Sequence, residues 1–169
     1  MRLDEKICLI ATAIIFVSGV SLYFILGGNA APVLTLENKP LQVVYGELFE
    51  GRPSEQRLKA LFIDARERSK ETGHELVVIS YDQDQAPLKQ FIGTLNGPKT
   101  SANLDSIEIP AGQYITAEIK AHNLVMPRPD DIKVLAGEFA RNKGLQPVLK
   151  VSYEVYKGDS SLTILFQCL

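Results

Sequence analysis

The chain has 169 residues, room for one globular domain and little more. Lys plus Arg is 18 and Asp plus Glu is 20, so a formal net charge of −2 excludes a strong general pull toward nucleic acid. Apolar residues reach 46%, too many for a disordered chain, and two cysteines, Cys8 and Cys168, cannot build a disulfide framework.

After a flank over 1–6, the run 7–26 (ICLIATAIIFVSGVSLYFIL) carries no charge. As a helix rising 1.5 Å per residue it is about 30 Å long, the thickness of a bilayer's hydrocarbon core. Gly27, Gly28 and Asn29 end it, and Tyr23 sits where an aromatic anchors at the interface. The run exceeds the ~7–15 residues of a signal-peptide core. Its small-residue site also runs into Pro32. An uncleaved single-pass transmembrane anchor is therefore expected ahead of a cleaved signal or a buried helix. Arg2 and Lys6 precede the run, and the next base is Lys39. The positive-inside rule then leaves the N-terminus cytoplasmic and the domain on the far side. Residues 27–40 read as a tether.

From Leu41 the chain changes character. Leu41–Phe49 reads as a strand, and Gly51-Arg52-Pro53 breaks it, with Pro53 suited to a first helical turn. Leu58, Leu61, Phe62 and Ala65 then make one apolar stripe, ended by Gly73. Leu76–Tyr81 and Leu88–Leu95 follow as strands, and Asn96–Asn103 is a turn-rich linker. Gln113–Ala121 is again a strand. A helix follows Pro127 and Pro129, with a stripe of Ile132, Leu135, Ala136 and Phe139 and a stop at Gly144. Val148–Tyr156 and Ser161–Gln167 form a hairpin about Lys157-Gly158-Asp159.

Each half, about 41–95 and 107–168, thus reads strand–helix–strand–strand. Ser80-Tyr81-Asp82 and Ser152-Tyr153-Glu154 stand at equivalent points of the two halves, which supports an internal repeat. The fold class predicted for 41–169 is α+β. Two repeated units form a mostly antiparallel sheet with both helices on one face, preceded by one transmembrane helix. A groove between the helices is where such a fold admits a ligand.

Glu154 is the informative residue. Alternation along the strand places Ser152, Glu154 and Tyr156 on one face. If that face lines the groove, a carboxylate beside an aromatic suits a cation, and desolvation raises its pKa as a general acid or base requires. If the face is open to water, Glu154 is an ordinary polar strand residue. Tyr45, Tyr81 and Tyr114 are weaker groove candidates, each more readily read as a strand or core aromatic. Asp82 holds the repeat position of Glu154 but reads as a solvated loop residue. No Cys, His and carboxylate cluster has ligand spacing, so no metal and no cofactor is expected. Phosphate-loop and nucleophile motifs are also missing from the sequence.

The segment Ile107-Glu108-Ile109-Pro110-Ala111-Gly112-Gln113-Tyr114, a helix, and then Tyr153-Glu154-Val155-Tyr156 resemble the second half of GyrI-like small-molecule-binding domains. These are the effector-binding modules of certain bacterial transcription regulators. The resemblance covers about 41–168 and implies two strand–helix–strand–strand units with the glutamate facing a ligand groove. The N-terminal apolar run and tether resemble a membrane-anchored group of the family. That group includes an autophagy receptor, but its long tail has no counterpart before Leu169, so no such role is carried over. No helix-turn-helix accompanies the domain, and no nucleic-acid partner is expected. The resemblance implies a small, apolar or cationic ligand held by Glu154 and Tyr156, with Tyr114 and Tyr45 as weaker contacts. Two alternatives stand beside it: a hydrolase using Glu154, as in some relatives, and a module that binds a protein partner at the membrane.

Overall fold

The computed structural model describes residues 3–82, 87–97, 104–122, 124–158 and 160–169, with side chains of the first helix from Ile10 onward. In chain order the elements are α1 (Leu3–Ile25), β1 (Val33–Lys39), β2 (Gln42–Gly51), α2 (Gln56–Thr72), β3 (Leu76–Tyr81), β4 (Leu88–Leu95), β5 (Asp105–Ile109), β6 (Gly112–Ile119), α3 (Pro129–Lys143), β7 (Val151–Tyr156) and β8 (Leu162–Gln167). The side chain of Cys8, linker residues 98–103 and Asp159 of the expected hairpin turn lie outside the described residues.

Local sequence accounts for the helix ends. Gly73 and Gly144 both adopt left-handed backbone (φ 70° and 68°), and each N–H returns to the last turn of its helix. Pro129 opens α3 with Asp130 and Asp131 in the first turn and Arg141 and Lys143 in the last, complementing the helix dipole. Pro53 does not open α2, which starts at Gln56. The chain turns first, and the Arg52 N–H donates to Glu55 Oε1 at 2.7 Å. On α3 the buried line is Ile132, Ala136 and Ala140, while Leu135 stays exposed. Two alanines on that line let the helix sit close to the sheet.

All eight strands form one sheet in the order β1-β6-β8-β7-β3-β4-β2-β5, and every pairing is antiparallel. The order is palindromic in the repeat. Each half runs edge strand, first, third and second strand, and the second strands β3 and β7 meet in the middle. Ser80 and Ser152, the first members of the two matching triplets, are Cα partners there. They mark the pseudo-twofold position between the halves.

Both edge strands depart from the sequence reading. The expected tether 27–40 contains β1, which pairs along its whole length with β6. Its alternation of Leu34 and Leu36 with polar residues buries only one face, against the α3 core. β5 is likewise an added edge strand, on β2.

Connectivity forces the sheet to curl. β5 and β6 lie six strand positions apart, about 29 Å in a flat sheet at ~4.8 Å per strand. Yet only Pro110 and Ala111 join them, a reach of about 11 Å at 3.8 Å per Cα step. The inside of the curl is a core of Val44, Val77, Ile79, Phe91, Tyr114, Tyr153 and Leu165. The outside carries both helices. α2 packs on Phe49, Leu76, Val78 and Ile92, and α3 packs on Ile115, Ala117, Ile164 and Phe166.

The expected transmembrane helix corresponds to α1. Among the described residues no helix is long and apolar enough to cross a membrane. α1 ends against the domain: the His122 N–H donates to Leu26 O at 2.9 Å, and Gly27 (φ 83°) lies against Lys120 and Ala121.

Candidate functional site

The outer face of the β3–β7 junction is the floor between α2 and α3. Pairing of Val78 with Glu154 and of Leu76 with Tyr156 puts the β7 glutamate and tyrosine on that face, opposite residues packed on α2. Glu154 is only 4% exposed. Its Oε1 accepts from Ser80 Oγ and its Oε2 from the Tyr156 hydroxyl, both at 2.9 Å. Gln90 Nε2 in turn donates to Ser80 Oγ at 3.0 Å, so the donors form a relay ending on the carboxyl group.

Burial is the dominant influence on Glu154 and pushes its pKa up. The hydroxyls of Tyr156 and Ser80 pull the other way, and the nearby Asp130 carboxylate adds to the rise. Tyr156 is itself pushed up, first by burial and then by the adjacent carboxyl group. Burial therefore disfavours the charged form of Glu154 relative to a carboxyl group in water.

Glu154 opens into a cavity of about 310 Å³. Ser80, Ser152 and Phe166 share its floor, Pro129, Asp130 and Lys133 at the start of α3 form one wall, and Asp82, Leu88 and Gln90 form the other. Asp82, the repeat counterpart of Glu154, is an ion-pair partner of Lys133 across the opening, not a loop residue facing only water. A second cavity of about 240 Å³ lies at the other end of the floor, between α2 and Tyr156.

Of the four residues expected at the groove, the fold brings Glu154 and Tyr156 together. Tyr114 lies on the opposite face, inside the curl. Its ring meets Tyr153 edge-on (centroids 6.0 Å apart), and its hydroxyl donates to Pro110 O at 2.6 Å. Burial, then the neighbouring Tyr153, pushes its pKa up to about 12. The Pro-Ala-Gly-Gln-Tyr motif thus closes its own turn, because even-numbered positions of β6 point inward. Tyr45 is half-buried in β2, between Thr94 and Ser106, and lines neither cavity. Tyr81 is among the residues lining the Glu154 cavity and also packs against the inner core, with Lys89 over its ring. Sequence reading missed Ser80, Asp130 and Lys133. Ser80 carried a signal in the repeated triplet, whereas the two α3 residues are placed only by tertiary packing. Among the described residues there is no group of three or more His, Cys, Asp or Glu that could hold a metal ion.

The α+β curled sheet, with helices outside and a groove between them, is a fold shared with several solved structures. The C-terminal domain of EcmrR matches with a TM-score of 0.58 at 14% identity, over 82% of this chain and 98% of that one. SAV2435 bound to tetraphenylphosphonium matches with a TM-score of 0.56 at 9% identity, over 81% and 94%. A hydrolase from Listeria innocua matches with a TM-score of 0.54 at 8% identity, over 87% and 98%. At these identities the likeness is one of fold. No protein-family profile matches the sequence, and no curated protein matches it.

Proposed function

We propose that this domain binds a small lipophilic cation in the Glu154 cavity. The carrying observation is a buried carboxyl group, held by two hydroxyls, that opens into a cavity whose other described charged residues are Asp82, Asp130, Lys133 and Lys150. Proton and ligand compete for one carboxylate. Desolvation raises the pKa of that carboxyl group, and a bound cation that supplies the missing counter-charge lowers it again. Phe166 and Leu149 give the ligand apolar surface, and Lys133 holds Asp82 at the opening. The phosphonium complex of SAV2435, a protein of the same fold, supports this ligand class.

The reading also takes α1 as a membrane anchor. Ile14, Ile15, Phe16 and Val17 are consecutive, so they point to every side of the helix, and all four are exposed. An apolar surroundings on all sides is what such a helix requires. The full chain should then stay with membranes through an alkaline carbonate wash and be released when residues 3–25 are removed. Release of the full chain by the wash would contradict anchoring.

A hydrolase is the second reading. The raised pKa of Glu154, with the Tyr156 hydroxyl on it, suits proton transfer to or from bound water.

One titration separates these. Full chain in lipid nanodiscs, with empty nanodiscs as blank, is titrated with tetraphenylphosphonium and with a neutral aromatic of similar size. Wild type should prefer the cation, and Glu154→Gln should lose that preference by about tenfold or more. Equal affinity of both proteins for the cation would overturn the reading. Turnover of a neutral strained-ring compound, lost in the variant while binding persists, would establish the hydrolase instead.

A further inference from the structure

The end of α1 is joined to the domain by a hydrogen-bonded corner. The Gly28 N–H donates to Tyr23 O and the Ala30 N–H to Gly27 O, both at 2.9 Å, and the Tyr23 hydroxyl donates to Gly28 O. A Cβ on Gly27 would stand 2.9 Å from Lys120 O, so the two backbones touch. On the domain side, the turn after β6 closes on His122, the residue bonded to Leu26. The Val125 N–H donates to His122 O at 2.9 Å and the Leu124 N–H to His122 Nδ1 at 3.3 Å. Leu124 on this turn is 80% exposed, as is Ile25 on the other side of the joint. Apart from α1 and Leu169, no described large apolar side chain is more exposed than Leu124.

We propose that Leu124 docks the domain on the membrane, its side chain entering the lipid interface beside the point where α1 leaves the bilayer. The proposal rests on the reading of α1 as a membrane anchor and adds that the domain is held at the surface. Distance favours lipid as the occupant. Two residues beyond a 2.9 Å hydrogen bond, the Leu124 Cα lies within about 12 Å of the Leu26 carbonyl oxygen, at 3.8 Å per Cα step. The headgroup layer beside an anchored helix is ~5–8 Å deep, so a turn this close to the helix end stands at the lipid surface. Val33 is also exposed and pairs with Glu118, at the end of β6 nearest the joint. The far end of β1 provides a contrast. Lys39 there pairs with Gly112, and exposed Leu41 follows, about 20 Å farther along a strand of seven residues.

The chain contains no tryptophan, so Leu124→Trp and Leu41→Trp each introduce a single fluorophore. Both positions are exposed, and an unaltered circular dichroism spectrum will show that each variant is folded. Full chain carrying either change is reconstituted in phosphatidylcholine vesicles, with and without bromine near the headgroup end of the acyl chains. Bromine quenches only fluorophores that it nearly touches. Emission from the Leu124→Trp variant should fall at least about twofold in brominated vesicles, while that from Leu41→Trp should not change. Flotation of the same samples separates the docking from the anchor. A chain that does not float with the vesicles refutes both. A floating chain whose two variants are equally quenched, or both unquenched, overturns the docking alone and leaves the turn to a protein partner.

Discussion

The hydroxyl of Tyr156 donates to Glu154 Oε2 at 2.9 Å, joining two residues of one strand that line different cavities. The tyrosine ring walls the cavity under α2, and the glutamate floors the one under α3. The bond favours the charged form of Glu154 against the larger effect of burial. Tyr156→Phe keeps the ring and removes that support. Cation affinity at neutral pH should fall about tenfold, the size of a hydrogen bond to a charged group, and the pH at half-maximal binding should rise. Calorimetric titration across pH reads both. An unchanged pH midpoint would mean that Tyr156 does not support the charge.

Stability should carry the same signature. A carboxyl group whose folded pKa lies above its unfolded value binds its proton more tightly in the folded state. Its contribution is therefore full below the unfolded pKa and is lost as pH rises through the folded pKa. Wild type should lose melting temperature relative to Glu154→Gln as pH climbs from about 4 toward neutrality. At neutral pH the variant should melt a few degrees higher, the shift that about 1 kcal/mol makes in a chain of this length. Thermal denaturation of both proteins over that range is the check; parallel curves would refute the burial argument.

Gly46 and Gly93 are Cα partners on β2 and β4. A Cβ on Gly46 would stand 2.1 Å from Ile92 O, and one on Gly93 would stand 2.2 Å from Tyr45 O. Both obstacles are backbone and cannot swing away. Either Gly→Ala change should cost about 1–3 kcal/mol or more in chemical denaturation, because the strands must separate where the curled sheet needs them close. A cost below about 0.5 kcal/mol would show that the strands can part freely.

Thr116 is fully buried, and its hydroxyl has no hydrogen-bond partner among the described residues. Thr116→Val keeps the branched shape and removes the orphaned group. The variant should be more stable by about 1 kcal/mol in urea denaturation. A loss of stability would indicate a water bonded to that hydroxyl.

The repeated triplets and the alternating strands carried much of this architecture on their surface. β3 and β4 have the bounds that periodicity predicts, and both helices stop at the predicted glycines. The edges did not show. β1 has one buried face of two leucines, and its register comes wholly from β6, so Pro32 and Pro40 made it look like a tether. The faces were harder still. Parity along β7 correctly grouped Glu154 with Tyr156, but no local pattern tells which side of a strand carries the helices. Tyr114 was therefore placed in the groove, when the two-residue β5–β6 link folds it inside the curl. Asp130 and Lys133 could not be read as site residues because their position depends on how α3 lies across the sheet.

The central claim is that proton and cation exchange on Glu154. Tetraphenylphosphonium binding to the full chain should be measured by calorimetry in two buffers of different ionisation enthalpy, near the pH of half-maximal binding. The account predicts that the cation releases about half a proton there in wild type, rising toward one at lower pH, and none in Glu154→Gln. Tight binding with no proton released from wild type at any pH would contradict it, since the cation would then be held without drawing on the buried carboxyl group.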